Sequence, residues 1–163
     1  MSAQTTYKFN PVMGAAGGIV DLAPYEVNAF IVEENTGVMQ AGVAVVSGTK
    51  AGSDIKLPTS TSGHFEGITT NRRTNEHGLE GETYIRKGQA LGVMRYGRIY
   101  GRVKTGVSVA YGEQVYVLVS GDEKGYLTNV STDNMPINAT FQSAVDNGVA
   151  IVEIANAPYV ASN

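Results

Sequence analysis

Few residues in this 163-residue chain have the type and spacing for chemistry. "HFE" sets His64 and Glu66 two positions apart. On a strand, residues i and i+2 share a face, so this pair could begin a metal site. Glu76 and His77 are adjacent in a charged stretch. The chain has two histidines and no cysteine, and no His-x-x-x-His spacing occurs. Such a site would lack its remaining ligands, and two exposed loop histidines are the plainer reading. Gly-x-Ser-x-Gly, Gly-x-x-x-x-Gly-Lys-[Ser/Thr] and Gly-x-Gly-x-x-Gly are all missing. Asp122 and Glu123 sit in "SGDEKG", where acids solvate a turn more readily than they move protons. Neither an enzyme nor a cofactor is expected.

The remaining candidate is basic and aromatic. In "RYGRIYGRVKTG", Arg98, Tyr100, Arg102 and Lys104 fall on one strand face, and Ile99, Gly101 and Val103 fall on the other. Residues 71–104 carry a net charge of +5 and the rest of the chain −8, giving −3 overall. A basic and aromatic sheet face can bind a single nucleic-acid strand. Phosphate binding, however, is dominated by charge, and this chain is acidic, with a pI near 5.3. A protein interface with an acidic surface suits the charge split better, and that surface can belong to another copy of the chain.

The elements that must position these residues read as strands. Glycine, at 20 residues, exceeds the usual ~7%; tyrosine outnumbers phenylalanine nine to four, and charged residues are only 17%. Glycine punctuation with Val and Tyr is a turn-rich β signature. No window offers a convincing helical period over ten residues. "YEVNAFIVEE", "VMQAGVAVVSG", "FEGITTN", "TYIRKGQALGVMRYG", "RIYGRVKTG" and "EQVYVLVSGDEKGYLTN" alternate. "LPTSTSGH" reads as a polar loop and "RRTNEHGLEGE" as a charged one. In "NATFQSAVDNGVAIVEI", Asn147-Gly148 marks a hairpin, because a type I′ turn wants positive φ at both residues. The expectation is all-β: one compact barrel or jelly-roll-like sandwich of about nine or ten short strands, residues 25–163. "QAGVAVVSG" and "AYGEQVYVLVSG" echo each other, either as equivalent strands of a pseudo-symmetric barrel or by coincidence, with coincidence slightly favoured.

Residues 1–24 have two prolines and several glycines but no period, and form an extended N-terminal arm. The arm carries Tyr7, Phe9, Val12 and Met13. It lacks a pattern for packing on its own body, so it is expected to serve attachment rather than folding. No run of about 18 apolar residues exists and no secretory pattern opens the chain. Membrane contact is not expected, and the protein is expected to stay where it is made.

"GVMRYGRIYGRVKTGVSVAYGEQVYVLVSGDEKGYLTN" resembles the cement, or head-decoration, proteins of tailed bacteriophages. "GAAGGIVD", "GVAVVSG", "FEGIT" and "ATFQSAVDNGVAIVEI" extend the likeness over most of the chain. The polar "LPTSTSGH" segment and the arginine-rich loop depart from it. The resemblance implies a structural virion protein, made in the bacterial host cytoplasm and bound to the outer capsid surface. It would join copies of the major capsid protein without catalysis and without direct nucleic-acid contact. Self-association follows, with a trimer favoured over a dimer. The interface candidates are Tyr7, Phe9, Val12, Met13, Arg72, Arg73, Arg98, Tyr100 and Arg102. The rivals are a carbohydrate-binding β-sandwich on a virion surface, a phage tail component and, more remotely, a small cupin-like metal enzyme.

Overall fold

The computed structural model describes residues 14–71, 76–77 and 83–157. Among them there is no helix. The strands are β1 (Glu26–Val32), β2 (Ala44–Ser47), β3 (Asp54–Lys56), β4 (Phe65–Thr69), β5 (Glu76–His77), β6 (Thr83–Tyr84), β7 (Ala90–Arg102), β8 (Gln114–Val117), β9 (Leu127–Thr128), β10 (Met135–Phe141) and β11 (Val149–Ile154). Nine of them make one sheet, and β5, within the stretch expected to be a charged loop, pairs separately with β6 just after it.

The 13-residue β7 organises everything else. A break was expected at Gly97. The strand instead runs through it and changes partners there. Up to Tyr96 it pairs with β1 on one side, and with β4 through Met94 and Val93 on the other. From Gly97 onward it pairs with β11. The first five strands of the large sheet run β1-β3-β2-β4-β7, and the β1–β7 ladder closes them into a barrel. The remaining strands continue as β7-β11-β10-β8-β9. A single parallel bridge, Val103 to Leu127, brings β9 back beside the end of β7.

The second set repeats the first. In each, chain order maps onto spatial order as first, third, second, fourth, fifth. β7 is the last strand of one set and the first of the other. The registers agree as well. Val32 N–H donates to Gln89 O at 3.0 Å and Val103 N–H to Gly148 O at 2.9 Å. Glu33 N–H donates to Ile55 O at 3.0 Å and Lys104 N–H to Leu127 O at 2.9 Å. Ser47 lies opposite Ile55 as Val117 lies opposite Leu127. The sequence echo is therefore partly structural. By this register Gly42 corresponds to Gly112 and Val45 to Val115. The Ser-Gly endings do not correspond, since Ser47 matches Val117, and that part is coincidence.

Alternation places the core. Val43, Val45, Leu91 and Val93 point into the first barrel with Phe30, Val32 and Ile55. Ala44, Val46, Ile68 and Met94, on the outer side of the same strands, pack against Ile99, Leu127, Ile137, Phe141 and Val152 of the second set. Both faces of β2 are thus buried, which explains why its two alternating faces are both apolar. β10 shows the complementary case: Met135, Ile137, Ala139 and Phe141 are buried, and the residues between them are half-exposed. Burial of a Phe or Leu side chain contributes about 1.5–3 kcal/mol, so these two interiors supply most of the stabilisation.

Two loop carboxylates add a pH-dependent part. Glu113 accepts from Ala110 N–H at 2.9 Å and from Asn129 Nδ2 at 2.9 Å, and these bonds hold it below the usual carboxylate range. Glu33 is lowered chiefly by the Thr49 backbone N–H. A carboxylate lowered in the folded state stabilises it above its unfolded pKa of about 4.3. That contribution disappears as the pH falls through the lower, folded value. Thermal melts should therefore be level down to about pH 5 and fall below about pH 4, and Glu113→Gln should reduce that acid dependence; an unchanged acid slope in the variant counts against the assignment.

The hairpin expected at Asn147-Gly148 is present. Both residues have positive φ, 51° and 77°, and Val149 N–H closes the turn on Asp146 O at 3.2 Å. Nothing lies within 4 Å of where a Gly148 Cβ would sit. Gly148→Ala should thus cost only the left-handed backbone penalty, about 1–2 kcal/mol, measured by denaturant unfolding. A variant as stable as the parent would contradict this.

Candidate functional site

The face expected to bind a partner is largely engaged within the chain. Arg98, Tyr100 and Arg102 do share one side of β7, and Ile99, Gly101 and Val103 are buried on the other. Arg98 Nε donates to Glu153 Oε2 at 2.9 Å, and its Nη1 lies 3.4 Å from Asp21 Oδ2. The two carboxylates, Glu153 foremost, raise the guanidinium pKa further and offset its charge. Arg102 Nε donates to the Ala41 carbonyl at 2.8 Å. That acceptor is neutral, and among the described residues no carboxylate pairs with Arg102. Lys104 is exposed at the strand end.

Tyr100 anchors the chain's own N-terminal region. Gly17 N–H donates to Tyr100 O at 2.7 Å, Tyr100 N–H to Gly18 O at 3.0 Å and Val20 N–H to Arg98 O at 3.2 Å. Asn71 N–H donates to Gly17 O at 2.8 Å. These bonds cover the edge of β7 that β1 leaves open, and an uncovered edge would invite pairing with other chains. The close fit depends on the missing side chain at Gly17. Its φ is +78°, and a Cβ there would lie 2.6 Å from Asn71 N. Residues 17–20 thus belong to the ladder of the body, and the boundary expected at residue 24 does not coincide with where pairing begins. The segment then turns outward. Leu22 is 97% exposed, with Ile19 and Tyr25 also exposed beside it.

A second feature lies where the two strand sets meet. Glu26, His64, Phe65, Glu66, Arg95, Pro136, Ile137 and Ile154 are among the residues lining a groove of about 670 Å³. Glu66 is only 5% exposed, with Arg95 Nη2 at 3.6 Å and His64 Nε2 at 3.9 Å. The sequence did place His64 beside Glu66. Among the described residues, however, no group of three or more His, Cys, Asp or Glu side chains could hold a metal. Arg95 completes the cluster instead, a cation where a further ligand would stand. Glu123 of "SGDEKG" holds the turn after β7, accepting from the Thr105 hydroxyl and N–H.

Tyr7, Phe9, Val12, Met13, Arg72 and Arg73 lie outside the described residues. Sequence reading missed Asp21, Ala41, Glu153 and Leu22. The first three are distant in sequence from the arginines they meet. A lone Leu before Ala-Pro carries no periodic signal.

Residues 3–155 match the family described as structural cement protein (E217 gp24/Pam3 gp6). The chain belongs to this family of phage cement proteins. A solved structure agrees in fold: a chain from "The capsid of Myoviridae Phage XM1" superposes with a TM-score of 0.72 at 20% identity, covering 96% of this chain and 99% of that one. A comparison with curated proteins finds no match. As a cement protein the chain is a structural component of the virion and sits on the capsid.

For the cement protein's N-terminal segment, Gly17→Val should both strain the backbone and force residues 17–20 away from β7. A loss of roughly 2 kcal/mol or more is expected, as for other strained special positions. Hydrogen exchange at the Tyr100 amide should quicken with it. Arg98→Ala removes exposed ion pairs and should change stability by no more than about 1 kcal/mol. A protected Tyr100 amide in the Gly17 variant would show that the segment stays seated without its glycine.

Proposed function

We propose that this cement protein clamps neighbouring major capsid protein subunits from the outer surface of the head. In this reading it is purely structural, neither catalysing a reaction nor touching nucleic acid, and it works as a homo-oligomer, a trimer rather than a dimer. The arm of residues 1–24 is fastened to β7 through residues 17–20 and reaches partners with Tyr7, Phe9, Val12 and Met13, while residues 25–163 form the rigid body. Arg72 and Arg73 add basic contacts. The observation that carries the reading is the exposed apolar run Ile19, Leu22 and Tyr25, with Leu22 at 97% exposure on a segment held by hydrogen bonds. A side chain presented next to a segment held on the body, and so exposed, is covered by a partner that docks there, the character of an interface anchor. Arg102 and Lys104 supply charge that no carboxylate among the described residues pairs with, whereas Arg98 is already paired.

Co-sedimentation with expanded capsids lacking the protein tests this. Leu22→Asp should weaken attachment tenfold or more, about 1.4 kcal/mol. Arg102→Ala should weaken it more than Arg98→Ala, and raising salt should weaken it modestly. Bound protein should raise the temperature at which capsids rupture. Attachment of Leu22→Asp and Arg102→Ala at parental affinity would reject this surface.

A further inference from the structure

We propose that the groove between the two strand sets seats the Tyr7-Lys8-Phe9 segment of a second copy of this chain, with the Lys8 ammonium on Glu66. Glu66 is the reason. A carboxylate accepts about four hydrogen bonds, and the Glu66 oxygens open onto the groove, since the one buried side-chain polar atom without a partner among the described residues is Ser47 Oγ. Here Arg95 and His64 approach to 3.6 and 3.9 Å, beyond hydrogen-bond range, and among the described residues no donor bonds to the carboxylate. The groove therefore presents a carboxylate that an incoming cation can reach and bond.

Its charge and walls define that donor. Glu26 and Glu66 face one permanent cation, Arg95, with His64 exposed at the rim. One added positive charge balances them. Phe65, Pro136, Ile137 and Ile154 give the walls apolar surface. The occupant is an extended peptide with one basic residue between apolar or aromatic neighbours. Outside the described residues the chain holds one such terminal stretch. Residues 1–13 carry Lys8 between Tyr7 and Phe9, and no acid; residues 158–163 carry no base.

The second copy follows from reach. A Cβ on Gly14 would lie 2.3 Å from the Tyr100 ring, so residue 14 sits five strand positions from Arg95, roughly 17 Å. Lys8 is six residues before Gly14, about 20 Å at full extension. Reaching its own groove would need a nearly straight chain across the body. A neighbour's groove needs none of that constraint, and a head-to-tail exchange of this kind forms a ring when the rotation between copies closes.

The test needs no capsids, so its outcome is independent of capsid attachment. Sedimentation equilibrium of the full chain should show an oligomer. Lys8→Glu and, separately, Glu66→Gln should each raise the dissociation constant tenfold or more. Equal melting temperatures of the Lys8→Glu and parent chains separate this effect from misfolding. An excess of a synthetic peptide of residues 2–13 should dissociate the parent, and the same peptide with Lys8→Glu should not. A parent that is monomeric at all concentrations, a Lys8→Glu chain that assembles like the parent, or a peptide that binds Glu66→Gln as tightly as the parent would each overturn the proposal.

Discussion

One strand has to satisfy two rings at once. β7 closes the first barrel through β1 and β4, then supplies β11 with its partner in the second set. Its side chains therefore cannot follow a simple inside–outside rule. Leu91 and Val93 enter the first interior, while Met94 and Ile99 enter the second. The consecutive residues Val93 and Met94 are both fully buried, which only a strand packed on both faces permits. The rest follows. β2 is apolar on both faces because the two cores meet across it, and the outer side of the first barrel serves as one wall of the second core.

The same sharing explains the chain's economy of charge. Surfaces that separate domains would expose to water are here pressed together. Polar groups remain where loops must be held, as with Glu33 at Thr49 and Glu113 at Ala110 and Asn129. They also remain along the outer side of β7, where Arg98, Asp21 and Glu153 form one exposed cluster. Exposed ion pairs contribute little to stability. The segment that carries Asp21 is held on the body mainly by the backbone bonds of Gly17, Gly18 and Val20 to β7.

Local chemistry was legible in the sequence, and long-range assembly was not. Asn147-Gly148 predicts its turn because positive φ is a property of those residue types. The alternation of Arg98, Ile99, Tyr100 and Gly101 predicts which side each takes. Gly97 misled, since glycine usually ends a strand, yet here it sits inside one. Residues 14–20 misled for another reason: their attachment is made by backbone N–H and C=O groups, which side-chain periodicity does not report. The duplication was nearly invisible because the two copies share a strand, and little beyond Gly-x-x-Val recurs at matching positions. At the candidate site, the common face of Arg98, Tyr100 and Arg102 could be read, but not that Glu153 and Asp21 would meet Arg98.

The way residues 17–20 lie along β7 also sets how the protein bears load. They run antiparallel to the strand, Ile19 facing Ile99. A pull on the chain at Gly14, directed along β7, would load the bonds at Gly17, Gly18 and Val20 together, in shear rather than one by one. Behind them, the bend at Leu22 offers a little slack before the tension reaches the β1 ladder. A fastening of this kind resists sustained stretch well and yields to sideways peeling, so its grip depends on the direction in which neighbours move.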